Sequence, residues 1–385
     1  MLSRQVASKL RSHETPFYLY DMALLRQTLE SVVYESKKYG YKVHYAIKAN
    51  YDDHLLAAIR EYGLGIDCAS GNELRKAIES GFDPKGIVYA GVGKRDKELR
   101  YAIEQKIMAI NCESIEELEL VDRLSAEAKC VTNVALRINP DIDPKTNHCI
   151  DTGQADSKFG ISYEEVLEFA VEIKALKHIK INGIHLHIGS QIRELHVFEN
   201  MCNKVNVIVE NLEKLGFLFD FVDVGGGLGV NYDVPENEPI PNFASMFSIV
   251  HNHLAVGDRE VHFEFGRSIV AECGELITSV LFNKTTATGR KLVIVDGSMT
   301  ELIRPALYGS YHNIENITSQ DEGHDKYTIV GTACESTDVF DENVSLRKTR
   351  RGDLLTIKSA GAYGMSMASR YNLHDLPGAV YSDEL

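Results

Sequence analysis

Short apolar runs recur along the first two thirds of the chain, and each has the length and composition of a buried β-strand. The segments between them, such as residues 52–63 and 71–81, place apolar side chains at helical spacing and end on Gly. The predicted strands are residues 42–48, 65–70, 86–91, 107–113, 133–139, 181–189, 219–225 and 261–266. The pattern therefore predicts eight successive strand–helix units.

Alternation of strands and helices predicts right-handed crossovers and a parallel sheet. Eight such units over roughly 240 residues match the size of a (β/α)8 TIM barrel. A doubly wound open sheet is the alternative that this pattern leaves open.

After about residue 275 the pattern becomes β-rich, with apolar runs at residues 275–282, 291–297, 327–336 and 353–364 and no strong helical segment between them. This part predicts a C-terminal all-β domain. The early run at residues 16–20 has no helix before it, so we expect this N-terminal strand to join the C-terminal sheet. The predicted domains are a barrel at 22–272 and a β domain made of 1–21 with 273–385.

Composition limits the partners and the compartment. The 385 residues carry a formal charge of -15, so nucleic acid and anionic membrane surfaces would be repelled overall. The seven cysteines form no CxxC pair and the first residues lack an apolar signal core, which favours free thiols and a cytoplasmic location. No apolar run approaches the ~20 residues that cross a bilayer.

Polar residues cluster where the predicted strands end. In a barrel all these ends share one rim, and that rim holds the active site. The residues concerned are Lys48, Asp67, Arg137, His187, the run Gly225, Gly226 and Gly227, Glu264 and Arg267.

The lysine and the glycine run together suggest pyridoxal 5'-phosphate. A partly desolvated Lys48 amine could form an imine with an aldehyde, although a surface lysine is the commoner meaning of such a position. Glycines at 225–227 let backbone N–H groups approach a phosphate, although a flexible turn is the alternative. Asp67 and Gly226 lie at the same rim, so we count them among the cofactor-binding candidates.

The other rim residues have roles that fit this cofactor. A carboxylate at Glu264 would keep a pyridine nitrogen protonated, with a salt bridge to Arg267 as the ordinary alternative. His187 could stack on a flat ring, whereas His185 is expected to be a buried core histidine. We expect no metal, because no cluster of Cys or carboxylates completes a set of ligands around these two histidines.

Three weaker signals lie in the β-rich part. A loop arginine at 304 could bind a carboxylate, Glu335 could pair with an ammonium, and Cys334 could act as an acid. Cys334 as a small buried hydrophobic residue is the alternative.

Nine motifs, in this order, resemble the pyridoxal-phosphate decarboxylases of diaminopimelate, ornithine and arginine, and most of all the diaminopimelate decarboxylases. They lie between residues 44 and 372: HYAIKAN, DCASGNEL, TGQADSKFG, HLHIGSQI, DVGGGLG, EFGRSIVAECG, RPALYGSYH, CEST and GAYGMSMASRYN. The barrel motifs are shared across the family, so the substrate is indicated by SKFG, RPALY and CES alone.

The resemblance implies a role for each matching residue and a homodimer with active sites at the subunit interface. Lys48 would hold the cofactor as an imine, His187 would stack on its ring and Glu264 would contact the pyridine nitrogen. The phosphate would contact Ser190, Gly227, Gly266, Arg267 and Tyr363. Arg267, Arg304, Tyr308 and Tyr363 would bind substrate together with Glu335, and Cys334 of the partner subunit would return a proton to carbon.

One position departs from the family. The usual Glu-Pro-Gly-Arg is here Glu-Phe-Gly-Arg, with Phe265 in place of proline. Because proline contributes rigidity rather than chemistry, we expect a local backbone change without loss of activity.

The resemblance implies decarboxylation of meso-2,6-diaminopimelate to L-lysine and carbon dioxide. Carboxynorspermidine, ornithine or arginine as the substrate is the alternative within enzymes. A cofactor-binding homologue without activity and a racemase are further alternatives, and the racemase is disfavoured because Glu264 stands where arginine is expected in that class.

Overall fold

The computed structural model describes residues 9–142 and 157–385. In chain order the strands are β1 (Phe17–Tyr20), β2 (Lys42–Ala46), β3 (Gly65–Cys68), β4 (Ile87–Tyr89), β5 (Ala109–Cys112), β6 (Thr132–Asn139), β7 (Ile161–Ser162), β8 (Ile179–His185), β9 (Phe221–Asp223), β10 (Glu260–Phe265), β11 (Gly274–Thr285), β12 (Lys291–Val295), β13 (Ile314–Asn316), β14 (His324–Val330), β15 (Val339–Arg347), β16 (Leu354–Ile357) and β17 (Gly378–Tyr381). The helices are α1 (Met22–Lys37), α2 (Asp53–Glu61), α3 (Gly71–Glu79), α4 (Asp96–Gln105), α5 (Ile115–Glu127), α6 (Tyr163–Glu168), α7 (Ala170–Ala175), α8 (His196–Lys214), α9 (Phe243–His253), α10 (Arg267–Val270) and α11 (Arg304–Tyr308).

Packing divides the chain into two units. The barrel unit contains Leu29–Gly229 and Pro241–Gly266, and the β unit contains the chain up to Thr28, Val230–Ile240 and Arg267–Leu385. The domain boundaries expected from the sequence, at 21/22 and 272/273, stay a prediction.

The barrel unit is a closed parallel barrel of eight strands. The order is β2, β3, β4, β5, β6, β8, β9 and β10, and β10 pairs with β2 to close the ring. The short β7 extends from β6 outside the ring. The predicted barrel is confirmed, and the open doubly wound sheet is excluded because β5 pairs with β6 and β10 with β2.

Side-chain caps begin the helices that follow the strands. Asp52 accepts hydrogen bonds from the backbone N–H groups of His54 and Leu55, and Ser70 accepts one from Glu73. Such caps satisfy N–H groups that the first turn of a helix leaves without partners. The connections after β2 and β3, which follow Lys48 and Asp67, are therefore short and anchored by these caps.

Successive residues of β10 face alternately the surrounding helices and the barrel interior. Phe263 and Phe265 are buried and pack against the rings of Phe243 and Phe247 on α9. Successive residues of a strand point to opposite faces, so Glu264 points into the barrel. The phenylalanine that replaces the family proline is thus a core residue between the sheet and a helix.

The β unit is a mixed sheet in the order β13, β16, β11, β12, β14 and β15. The N-terminal β1 pairs antiparallel with β11 and parallel with β17, which confirms the expected joining of the first strand to the C-terminal sheet. Two features were not expected from the sequence: β17 at the end of the chain, and the one-turn helix α11 between β12 and β13.

No helix in the described ranges is both long and apolar enough to cross a membrane. All six cysteines in those ranges are free thiols, and Cys149 lies outside them. The first five residues of the motif TGQADSKFG also lie outside the described residues.

Candidate active site

Lys48 lies in a single helical turn, Ile47–Ala49, directly after β2. Its Nζ donates a hydrogen bond to Oδ2 of Asp67 at 2.7 Å. Asp67 lies on β3 with its side chain fully buried, while the lysine side chain is partly exposed. Burial and the Glu264 carboxylate raise the pKa of Asp67, against the lowering effect of Lys48. The rim therefore presents an accessible amine that a buried carboxyl group holds in place.

Glu264 lies in the barrel interior, where its neighbours favour the ionised carboxylate. Its Oε2 is 3.1 Å from Nε2 of His185 on β8. Burial alone would raise the pKa of Glu264, but His185, Lys48 and His187 together lower it below the ordinary value. Oε1 of Glu264 is buried and has no hydrogen-bond partner in the described part of the chain. An ionised oxygen of this kind fits a pyridinium N–H, which is the group that pyridoxal phosphate would offer.

His187 lies two residues beyond β8 and is half-buried. Its Nδ1 accepts a hydrogen bond from the backbone N–H of Gly226 at 3.3 Å. Burial and the Lys48 ammonium lower the pKa of His187 to about 3. The imidazole is therefore neutral at physiological pH, and a neutral flat ring is suited to stacking on an aromatic cofactor.

Gly225, Gly226 and Gly227 form a loop, here called the cradle, in which any added side chain would collide with neighbouring backbone atoms. A Cβ on Gly226 would collide with the carbonyl oxygen of Glu264, and Gly227 has a φ of +99°. The N–H of Ile192 donates to the carbonyl of Gly227 at 2.8 Å, which holds the loop of Ser190 against this run. The fit to a phosphate is good, because small residues and a hydroxyl leave room for backbone N–H donors.

Gly266 follows β10 and packs against the end of β2. A Cβ there would lie 2.9 Å from Cβ of Ala49. Asp67, Lys48, His187, Ser190, the glycine run, Glu264 and Gly266 all belong to the barrel unit. Their strands end at one rim, as the sequence predicted.

The second group of predicted residues belongs to the β unit. Arg267 begins α10, and its Nη1 donates to the hydroxyl of Tyr232 at 2.6 Å. The guanidinium carbon of Arg267 lies 4.9 Å from the ring centre of Tyr363. The same Tyr232 ring lies 4.7 Å from the guanidinium of Arg304. One tyrosine therefore contacts both arginines, and it lies in no motif that would single it out.

Arg304 is buried at the start of α11, so its interpretation as a loop arginine was wrong. Its guanidinium donates to Nε2 of His312 at 2.9 Å and to the hydroxyl of Ser310 at 3.3 Å. No carboxylate of the described chain forms an ion pair with Arg304, and its Nε has no hydrogen-bond partner there. Burial, followed by the charge of Arg267, lowers the pKa of Arg304. A buried cation without an anionic partner is suited to binding an anion.

Tyr308 ends α11, one helical turn after Arg304 and therefore on the same side of that turn. Cys334 and Glu335 lie on an exposed turn between β14 and β15. The N–H of Cys334 donates to the side chain of Asn372 at 2.8 Å. The interpretation of Cys334 as a buried hydrophobic residue was therefore wrong, and the thiol is exposed.

Sequence reasoning missed several residues. His185, expected to be an ordinary core histidine, hydrogen-bonds Glu264. Arg267, for which a salt bridge to Glu264 was the ordinary alternative, donates to the hydroxyl of Tyr232. Asp223, which ends β9, shares a buried cluster with His185 and Glu264. Its place at a strand end was the available signal.

Comparison with known proteins agrees with this geometry. Residues 25–271 match the family model described as "Pyridoxal-dependent decarboxylase, pyridoxal binding domain". A diaminopimelate decarboxylase of Bacteroides thetaiotaomicron is 46% identical over 98% of both chains, and one of Zymomonas mobilis is 38% identical over 95% of this chain and 87% of its own. The crystal structure of Helicobacter pylori diaminopimelate decarboxylase complexed with L-lysine has a TM-score of 0.93 at 35% identity, covering 99% of this chain and 94% of that one.

The chain therefore belongs to the pyridoxal-dependent decarboxylase family. Within that family it is similar to the diaminopimelate decarboxylases along nearly its whole length. The fold, the family resemblance and the pyridoxal-phosphate cofactor predicted from the sequence are confirmed.

Proposed function

We propose that this chain decarboxylates meso-2,6-diaminopimelate to L-lysine and carbon dioxide. The observation that carries the proposal is Arg304, a buried guanidinium with no anionic partner among the described residues. The distal carboxylate of diaminopimelate would neutralise this charge. Ornithine has no such carboxylate, and leaving the cation unpaired would cost about 1–3 kcal/mol or more.

Bound pyridoxal phosphate supplies an aldehyde and an electron-withdrawing ring that accepts the electrons of the bond to the departing carboxylate. Lys48 provides the amine that attaches the cofactor. Glu264, ionised and partnered by His185, provides the negative charge for the pyridine nitrogen. His187 provides the stacking ring. Asp67, Ser190, Gly226, Gly227, Gly266, Arg267 and Tyr363 complete the cofactor-binding set.

The remaining residues orient the substrate and move a proton. Arg267, Arg304 and Tyr308 bind at the distal carboxylate, and Glu335 binds the distal ammonium. Tyr363 also contacts the substrate. A clamp at the far end of the substrate would fix the scissile bond perpendicular to the ring. Cys334 of the partner subunit would return the proton to carbon, and its exposure on a surface turn fits that role.

The proposal includes a homodimer and a cytoplasmic location. Exposure of Cys334 and Glu335 supports the dimer, because an exposed pair is available to a second copy of the chain. The acidic composition and the free thiols support the location.

The test is product analysis. Purified protein is incubated with pyridoxal phosphate and, in parallel, with meso-diaminopimelate, ornithine and arginine. Carbon dioxide and L-lysine from diaminopimelate, with far slower release from the other two, is the expected result. Faster turnover of ornithine would refute the assignment of the substrate.

A further inference from the structure

We propose that Asp223 is a positioning residue whose carboxyl O–H points toward Glu264 and keeps that carboxylate ionised for the cofactor. This inference rests on the proposed function, because it assumes that Glu264 faces the pyridine nitrogen. Asp223 ends β9, which pairs with β10 of Glu264 on one side and with β8 of His185 on the other. The three residues therefore occupy neighbouring strands of the barrel interior.

The contact geometry joins these side chains in one cluster. One ring nitrogen or carboxylate oxygen from each of His185, Asp223 and Glu264 lies within 4.8 Å of the other two. Asp223 is completely buried, and its Oδ1 accepts a hydrogen bond from the N–H of Gly225 at 2.9 Å. Oδ2 of Asp223 and Oε1 of Glu264 are both buried without a partner in the described ranges. Buried polar atoms rarely remain unpaired, so each of these two oxygens requires an explanation.

Two carboxyl groups this close in a buried site cannot both be ionised. The negative charge is more favourable on Glu264 than on Asp223, because His185 donates to Glu264 and Lys48 lies at the same rim. Asp223 has a single donor, Gly225. Burial, followed by the Glu264 charge, raises the pKa of Asp223 well above its ordinary value. The shared proton therefore resides on Asp223, and it lies on Oδ2 because Oδ1 accepts from the backbone.

Two further histidines, His44 and His262, form a second cluster with Asp223. One ligand-type atom each of His44, Asp223 and His262 lies within 4.8 Å of the other two. Nδ1 of His44 donates to the carbonyl of Gly86 at 3.1 Å, and its Nε2 lies 2.8 Å from Nδ1 of His262. Nε2 of His262 in turn lies 3.2 Å from Oε2 of the exposed Glu260. Burial lowers the pKa of His44 to about 3 and that of His262 to about 4. Both rings are therefore neutral and offer no cation that would ionise Asp223.

This polar set is unusual for a barrel interior, which branched apolar side chains normally fill. A Cβ on Gly65 would collide with the His44 ring, so the glycine provides the space that the histidine occupies. Several ionisable groups surround Asp223 and Glu264. They are Lys48 and His44 from β2 and its end, Asp67 from β3, Arg137 from β6, His185 and His187 from β8 and its end, and His262 from β10 with its neighbour Glu260. Of the two cations, Arg137 already pairs with Glu113 and Lys48 with Asp67.

The same residues have the chemistry of metal ligands, but the nitrogens are already used. His44 and His262 hydrogen-bond each other, and His185 hydrogen-bonds Glu264. A stoichiometric divalent metal in the purified holoprotein would overturn the proposal.

The first experiment is infrared spectroscopy of the full-length holoprotein at pH 7. We expect the band of a protonated carboxyl group that disappears in Asp223→Asn. The matched control is Asp220→Asn, three residues earlier, whose exposed side chain pairs with Lys180 and whose replacement should leave the band in place. If Asp223→Asn leaves the carboxyl bands unchanged, Asp223 is ionised and the proposal is wrong.

The second experiment follows the pyridine nitrogen of ¹⁵N-labelled cofactor by NMR across pH. Asp223→Asn keeps a donor, so ring protonation and kcat at pH 7 should stay within about threefold of the unmodified protein. Asp223→Leu removes the donor, so the ionised form of Glu264 is less stable and the proton shared with the ring nitrogen should move toward Glu264. The equilibrium should change about tenfold and lower the protonated fraction of the ring nitrogen. An unchanged nitrogen titration in Asp223→Leu would overturn the proposal.

Failure of this inference differs from failure of the proposed function. The proposed function fails if the unmodified protein releases no carbon dioxide from meso-diaminopimelate. The proposed role of Asp223 is wrong if its replacement leaves the carboxyl band or the nitrogen titration unchanged, whichever substrate the protein turns over. If Asp223→Leu does not fold, the band in the unmodified protein and in Asp223→Asn still decides.

Discussion

Nε2 of His185 lies 3.1 Å from Oε2 of Glu264, and 79 residues of chain separate the two in sequence. This contact gives the buried carboxylate a fixed orientation and favours its ionised form. It leaves the second oxygen available for a bound pyridine ring. The pair therefore explains how a carboxylate in a barrel interior can hold a positive ring nitrogen.

Replacing Glu264 by Gln tests that role. The amide cannot carry the charge, and a hydrogen bond to a charged group contributes about 1.5–3 kcal/mol, so kcat should fall about 10- to 100-fold. Cofactor content should stay near that of the unmodified protein, because Lys48 and the glycine run remain. Steady-state kinetics with absorbance spectra check this, and unchanged kcat would contradict the role of Glu264.

Replacing Arg304 by Ala tests the substrate. Loss of the guanidinium should lower kcat/KM for meso-diaminopimelate by about 100-fold or more, because a buried charged partner is worth about 2–5 kcal/mol. Arg290→Ala is the control, since Arg290 pairs with an exposed Glu342 on the surface of the β unit. If turnover of a slow substrate such as ornithine falls by the same factor, Arg304 has only a structural role.

Gly226→Ala should weaken cofactor binding. The added Cβ would collide with the carbonyl oxygen of Glu264, so the loop must shift. The control is Gly93→Ala in the same unit, where an added Cβ meets nothing within 4 Å. Titration with pyridoxal phosphate should show a Kd raised at least tenfold for Gly226→Ala and unchanged for Gly93→Ala. Equal affinities would contradict the account of the cradle.

Glu272 should make stability depend on pH. Burial raises the pKa of this carboxyl to about 7, and neighbouring Glu236 and Glu275 add to the effect. A raised native pKa means that the folded state binds the proton more tightly, so its contribution to stability is present below about pH 4.5 and is lost as pH rises through about 7.

Glu272→Gln should therefore raise the free energy of unfolding at pH 8 by about 1–2 kcal/mol and change it little at pH 5. Urea unfolding at the two pH values measures the difference. Glu322→Gln, at an exposed position of the same unit, is the control that should alter neither value. Equal stabilisation at both pH values would contradict the shifted pKa.

A mixing experiment tests the shared active site. Lys48→Ala and Cys334→Ala should each be inactive as homodimers, whereas a mixture of the two should regain part of the activity because some mixed dimers carry one intact site. Each variant remixed with itself is the control. Absence of recovery, with subunit exchange demonstrated, would contradict a contribution of Cys334 from the partner subunit.

Much of the fold could be predicted from the spacing of apolar and polar residues along the chain. The eight barrel strands, the β-rich C-terminal part and the pairing of β1 with it were predicted, because strand and helix periods are local properties of the sequence. The rim position of Lys48, Asp67, His187 and Glu264 followed from parallel strand ends. The family motifs then indicated the cofactor.

The contacts inside the site were not predictable in this way. Which side chains meet across a barrel depends on the register between strands distant in the chain, as between His185 and Asp223. Tyr232 lies in no motif, yet it contacts both Arg267 and Arg304. One-turn helices such as α11 are also too short to produce a helical period, which explains why Arg304 was assigned to a loop.

The whole proposed mechanism depends on attachment of the cofactor to Lys48. Borohydride reduction of the holoprotein fixes the cofactor to its lysine, and peptide mass spectrometry then identifies the labelled residue. A phosphopyridoxyl group on Lys48 is the expected result. A label on any other lysine, or no label on a protein that contains stoichiometric cofactor, would contradict it.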